Sequence, residues 1–204
     1  MSDSHAQGAR QGHTDPWRER LPLPAAAAMT PAQKAAADAL IAGPRKGVYG
    51  PFLPLMQSPV LLDRVAGVGE YLRFDSVVDT KLRELVTCAV ARHVGNQFEW
   101  VTHAPMAEKL GVAPATIESL RLGARPTGLP DDEALALDFT NEVLARNGVS
   151  EPTYNAAVAR FGEQGVVELT TLIGYFVMVN WVMNVAHTCA RPAPGVAPLQ
   201  PFPL

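Results

Sequence analysis

Cysteine is close to missing from this sequence: Cys88 and Cys189 are its two examples, far apart and in no CxxC pair. That spacing excludes an extracellular disulfide framework and a thiolate zinc site, and each cysteine is read as an ordinary reduced thiol. A surplus of one charge is missing too. With 17 basic and 20 acidic residues the net charge is −3, and neither sign forms a run, so the chain lacks the electrostatic footprint of a nucleic-acid or anionic-membrane binder. A small molecule or another protein subunit is the expected partner. The start, Met1-Ser2-Asp3-Ser4-His5, has no basic segment followed by an apolar one, so no secretory signal is read and a cytoplasmic location is expected. No stretch alternates as a strand and no segment repeats at a solenoid period, which leaves an all-α class.

What is present is a normal globular load. Hydrophobic residues make up 48% and charged residues 18% of 204, enough for a single core. Residues 1–20 are polar and without helical period, and are expected to form a flexible arm. The body is expected over 21–190. Beyond it, prolines at 192, 194, 198, 201 and 203 forbid helix and leave an extended Pro-rich tail over 191–204.

Seven or eight helices are read from caps and periodicity. Thr30-Pro31 opens a helix that Gly43-Pro44 stops. A loop follows from Gly43 to Gln57, its glycines and prolines interleaved with Tyr49 and Phe52, a composition suited to a rigid pocket wall. Ser58-Pro59 starts a helix to Phe74. Asp79 caps the next, which breaks at Gly95, and Asn96 begins another that closes at Gly111. Pro114 opens a short helix, Asp131 one that runs to Arg146, and Ser150 one to Phe161. From Gly165 to Ala186 the chain is almost continuously apolar and about long enough to span a bilayer. Glu168, Asn180 and Asn184 interrupt it, and no Lys or Arg cluster flanks it, so it is read as a buried central helix and no membrane partner is expected.

The chemistry-bearing stretch is Glu84 to His103. Glu84 and Cys88 share one helix face, as do Glu99 and His103, because residues four apart lie one turn above each other. The short Gly95-Asn96 connection makes the two helices antiparallel neighbours. Glu84 lies about three turns and His103 about two turns from that connection, so the two can face one another at similar depth. A carboxylate and an imidazole in an apolar crevice are the minimum equipment for acid–base catalysis. Other readings stand beside this one. Glu99 three residues after Asn96 can cap its own helix, His103 can be a core histidine, and Glu84 can pair with Arg83 or Arg92. His93 at a helix end can satisfy terminal carbonyls. Trp100, Phe98 and Met106 can be packing groups, with Trp100 as a pocket wall. Glu99 and His103 also have metal-ligand spacing, but no second suitable histidine accompanies them, and no metal is expected.

Leu82-Arg83-Glu84-Leu85, Ala91-Arg92-His93 and Phe98-Glu99-Trp100-Val101-Thr102-His103-Ala104-Pro105-Met106-Ala107 resemble the signature helix pair of the carboxymuconolactone decarboxylase and alkylhydroperoxidase D superfamily. Gly50-Pro51-Phe52, Ser58-Pro59, Glu70-Tyr71-Leu72-Arg73-Phe74 and Gly174-Tyr175 resemble its longer carboxymuconolactone decarboxylase-like members. The resemblance covers roughly Pro44 to Asn184. It implies an alkylhydroperoxidase D-like bundle whose antiparallel helix pair carries the site, assembled as a dimer, trimer or hexamer. In the peroxidase branch a glutamate, a CxxC pair and a histidine act together. Glu84 and His103 match the glutamate and histidine, but the cysteine positions fall on Asn96 and Glu99, which cannot act as sulfur nucleophiles. In the decarboxylase branch an acidic residue and a histidine four on match Glu99 and His103, and no cofactor is used. The resemblance therefore implies a cofactor-free lyase or isomerase for a small acidic lactone or related product of aromatic degradation. His103, Glu84 and Glu99 are its expected catalytic residues, and Trp100, His93 and Phe52 its substrate contacts. A thiol redox protein and a non-catalytic helical oligomer are the alternatives.

Overall fold

The computed structural model of the protein describes residues 18–191 and 193–199. Residues 1–17 of the expected arm, and 192 and 200–204 of the tail, lie outside the described residues. Within them the chain forms eight α-helices and no strand: α1 (Pro31–Ala42), α2 (Phe52–Leu55), α3 (Pro59–Phe74), α4 (Thr80–Val94), α5 (Gln97–Lys109), α6 (Pro114–Arg121), α7 (Asp131–Arg146) and α8 (Glu151–Ala186). One turn of helix, α2, therefore interrupts the segment expected to be loop throughout. Its Phe52 and Leu55 are buried, so packing holds a turn that has no cap.

Local chemistry sets the boundaries. The Thr30 hydroxyl accepts from the Gln33 N–H while the Gln33 side chain accepts from the Thr30 N–H, a reciprocal cap for α1. Asp79 accepts from Lys81 N–H at the start of α4. Gly95 ends α4 at φ 70°, a conformation in which a Cβ would be strained. Asn96 then accepts from Glu99 N–H at 2.9 Å to open α5. α4 and α5 fold back on each other through these two residues. The two helical segments expected on either side of Phe161 to Gly165 run on as α8, with a single break at Gly162, φ 73° and ψ 169°.

The innermost helix is α4, and not the apolar C-terminal segment expected there. Every residue from Leu82 to Ala91 is buried. Leu82, Val86 and Val90 join a core layer with α1, α3, α7 and α8, while Leu85, Cys88 and Ala89 join a second layer with α5, α6 and the chain end. α8 packs one stripe against α4 and α7. By length and composition alone it could cross a membrane. Its opposite face leaves Val167, Met178, Trp181 and Val185 exposed, so the apolar load is divided between a core stripe and an outer one.

Buried polar groups tie these layers together. Glu168 of α8 accepts hydrogen bonds from the Tyr71 hydroxyl, the Ser76 hydroxyl, the Val77 N–H and the Gln164 amide. Burial opposes its charge, but those four donors hold its pKa down to about 2. Near the chain end, Gln97 exchanges two hydrogen bonds with the backbone of Leu199, and the Trp100 indole N–H donates to Ala197 O. The segment 193–199 is thereby strapped along α5.

Candidate active site

Glu84 stands on α4, Glu99 and His103 on α5, and all three side chains are buried. His103 Nδ1 lies 2.5 Å from Glu84 Oε2, and His103 Nε2 lies 2.9 Å from Glu99 Oε2. The imidazole thus bridges two carboxylates, one on each helix. At the similar depth expected from the turn, Glu84 and His103 are in direct contact. Arg83 is not the partner of Glu84: its guanidinium donates to Leu72 O and to the Thr80 hydroxyl. Asn96 caps α5 with its own side chain, and the Glu99 carboxylate is directed to His103.

Burial disfavours the charged imidazole, but the hydrogen bonds it donates to Glu84 and Glu99 outweigh that cost and lift the His103 pKa to about 9. At neutral pH His103 is an imidazolium that donates Nδ1–H to Glu84 and Nε2–H to Glu99. Both ring nitrogens are thereby engaged within the protein. Neither N–H is free to reach a ligand, so a proton leaving the group passes through a carboxylate. Glu84, Glu99 and His103, the three residues expected to act together, thus form one hydrogen-bonded chain across the α4–α5 pair.

These residues line a cavity of about 70 Å³, room for more than one water molecule. Tyr49, Phe52 and Phe98 form part of its wall, and α8 contributes Leu172, Tyr175, Phe176 and Val179, one stripe at helical spacing. Phe176 sets its ring edge-on to His103, with centroids 5.4 Å apart and planes at 81°. Three arginines also line the cavity: Arg45, Arg73 and Arg83. Arg45 stacks 4.7 Å over the Phe52 ring.

The expected substrate contacts divide. Phe52 is in the wall. Trp100 is not: it is buried in the second core layer and its indole is spent on Ala197. A single step of about 100° round the helix turns it away from the face of Glu99 and His103. His93 is exposed near the end of α4 and does not line the cavity. Arg45, Tyr175 and Phe176 were missed, because they reach the site from a loop and from a helix distant in sequence. The Gly43 to Gln57 loop, read as a pocket wall, was the one available signal for Arg45.

Cys88 is wholly buried in the second core layer, and desolvation, with Glu84 nearby, pushes its thiol well above the usual range. A thiol so placed is a poor nucleophile.

Residues 59–142 match the model of the carboxymuconolactone decarboxylase family, a span that includes Glu84, Glu99 and His103. No curated protein matches the sequence. Several solved structures share the fold at low identity. An uncharacterized peroxidase-related protein from a Silicibacter species superposes with a TM-score of 0.66 at 18% identity, covering 89% of this chain and 96% of that one. An alkylhydroperoxidase core from Ralstonia eutropha, also an uncharacterized peroxidase-related protein, gives 0.64 at 19%, covering 81% and 88%. A protein of unknown function from Agrobacterium tumefaciens, named for alkylhydroperoxidase D and antioxidant defence, gives 0.59 at 17%, covering 68% and 95%. The chain thus carries a match to the carboxymuconolactone decarboxylase family over residues 59–142, and its fold is that of the alkylhydroperoxidase D-like proteins.

Proposed function

We propose that this protein is a cofactor-free lyase or isomerase that protonates a small acidic lactone or related unsaturated acid. The reading rests on one observation, the Glu84–His103–Glu99 chain lining an aromatic-walled cavity. In a decarboxylation, the bond from the substrate carbon to its carboxylate breaks and carbon dioxide leaves. The electron pair moves through the double bond onto the lactone carbonyl as a dienolate. A carboxyl group of Glu84 or Glu99, carrying the proton held by His103, then protonates carbon. His103 is left neutral and regains its proton from solvent, so one proton is consumed for each carbon dioxide released.

The resemblance supports this over a peroxidase. Asn96 and Glu99 stand at the cysteine positions of the redox branch, and Cys88 is buried away from them. Screening unsaturated lactone acids for carbon dioxide release, native protein against His103→Gln, tests the reading. Release that is equal in the two proteins would reject it.

We also propose that the chain self-associates through the exposed stripe of α8, in keeping with the assembly implied by the resemblance. No nucleic acid or membrane partner, and a cytoplasmic setting, complete the proposal.

A further inference from the structure

Two guanidinium donors in the cavity wall lack an acceptor. The Nε–H groups of Arg45 and Arg83 are buried and unpaired, and both residues line the cavity. A buried donor left unpaired is costly, and an arginine donor more so, unless something brought into the cavity accepts from it. Gly69 of α3 supplies a second, independent observation. A Cβ at that position would lie 2.1 Å from the Tyr175 hydroxyl oxygen and 2.8 Å from Arg45 Nη2. Only glycine leaves room for the phenol and the guanidinium to sit side by side. The balance of charge agrees: Arg45, Arg73, Arg83 and the His103 imidazolium surround the two carboxylates of Glu84 and Glu99, so the cavity is cationic.

We propose that Arg45, Arg83 and Tyr175 form a carboxylate-binding subsite that orients an anionic substrate toward the Glu84–His103–Glu99 chain. This rests on the acid–base reading of the same cavity. A planar carboxylate matches the donor fork of a guanidinium, and Arg45 presents that fork from a loop braced by Phe52. A grip on the carboxylate that leaves would stabilise the ground state and oppose its loss. The subsite therefore holds an acid group that stays on the product, and sets the reacting carbon against the proton donor.

Crotonate and its uncharged isostere crotonamide test this without any turnover. Calorimetric titration of the native chain should show crotonate binding about tenfold tighter than crotonamide, the worth of one charge-assisted contact. Arg45→Gln should bring the two affinities together, weakening crotonate more than crotonamide. Gly69→Ala, which displaces the same guanidinium without removing it, should do likewise in a protein whose circular dichroism is native. The subsite is overturned by equal affinities in the native chain, by a preference that survives in both variants, or by no saturable binding of crotonate. Inorganic phosphate binding more tightly than crotonate would overturn its assignment to a carboxylate. A crotonate preference without decarboxylation of any acid tried would sink the acid–base reading alone. Decarboxylation without that preference would sink the subsite alone.

Discussion

At the scale of single residues the protein turns on where His103 keeps its proton. The folded pKa, about 9, lies above the ordinary histidine value of 6.5. The sign of the linkage follows: the extra stability from this imidazolium is complete below the unfolded value and is lost as pH rises through the folded one. His103→Gln should therefore destabilise the protein most near pH 6, where it leaves Glu84 and Glu99 facing each other, and least above pH 9. Thermal melts of both proteins across that window check it, and a gap that widens with rising pH would be inconsistent. In turnover the same substitution should cost roughly 10²- to 10⁴-fold, the usual worth of acid–base catalysis, and native activity should hold up to about pH 9. Activity that falls through pH 6.5 instead would mean that the ring works outside the carboxylate pair. Glu84 and Glu99 were legible as candidates from their spacing, yet their joint hold on one ring was not. Spacing along a helix shows which groups can meet, but the capture of both ring nitrogens depends on side-chain directions across two helices.

Among the helices, boundaries read well where capping chemistry was local. Thr30, Asp79, Asn96 and Gly95 each act within a few residues of themselves, and α1, α4 and α5 begin or end at them. What the sequence hid was which apolar helix lies innermost. α8 has the longer apolar run, but α4 is enclosed on every side, because burial is decided by how many neighbours a helix has and not by its mean hydropathy. The outer stripe of α8, Val167, Thr171, Gly174, Met178, Trp181 and Val185, recurs at alternating spacings of four and three, the seam of helix pairing. Trp181→Glu is expected to shift the chain toward monomer in light scattering at micromolar concentration with its helicity kept. A native chain that is already monomeric would remove the proposed interface. On the buried side, Glu168→Gln weakens four charge-assisted hydrogen bonds, three of which tie α8 to α3 and the α3–α4 connection. It should cost about 1–3 kcal/mol in a denaturant titration at pH 7. Because the folded carboxyl titrates near 2, that deficit should shrink as the pH falls below 4.5 toward 2.

For the molecule as a whole, the fold is shared with peroxidase-related proteins, and the Cys88 thiol of this chain is buried in the core. Fold alone does not carry a reaction; the side chains at the site do. Peroxide consumption with a dithiol donor should stay at background, and Cys88→Ser should leave it there. Robust turnover lost in Cys88→Ser would place this chain in the redox branch after all. The elements that shape the cavity come from five parts of the chain, the segment before α3 and helices α3, α4, α5 and α8. The α4–α5 pair was readable because its turn is two residues long. Arg45, Tyr175 and Phe176 were not, since no local period marks a residue that reaches its site through tertiary packing.

All three scales meet in the charge of one ring. Nitrogen-15 NMR of histidine-labelled protein, with His103→Gln to assign the signal, measures that charge directly. At pH 7 both His103 nitrogens should appear protonated, and the signal should titrate with a midpoint near 9. A neutral His103 tautomer at pH 7, titrating near 6.5, would contradict a proton held between Glu84 and Glu99.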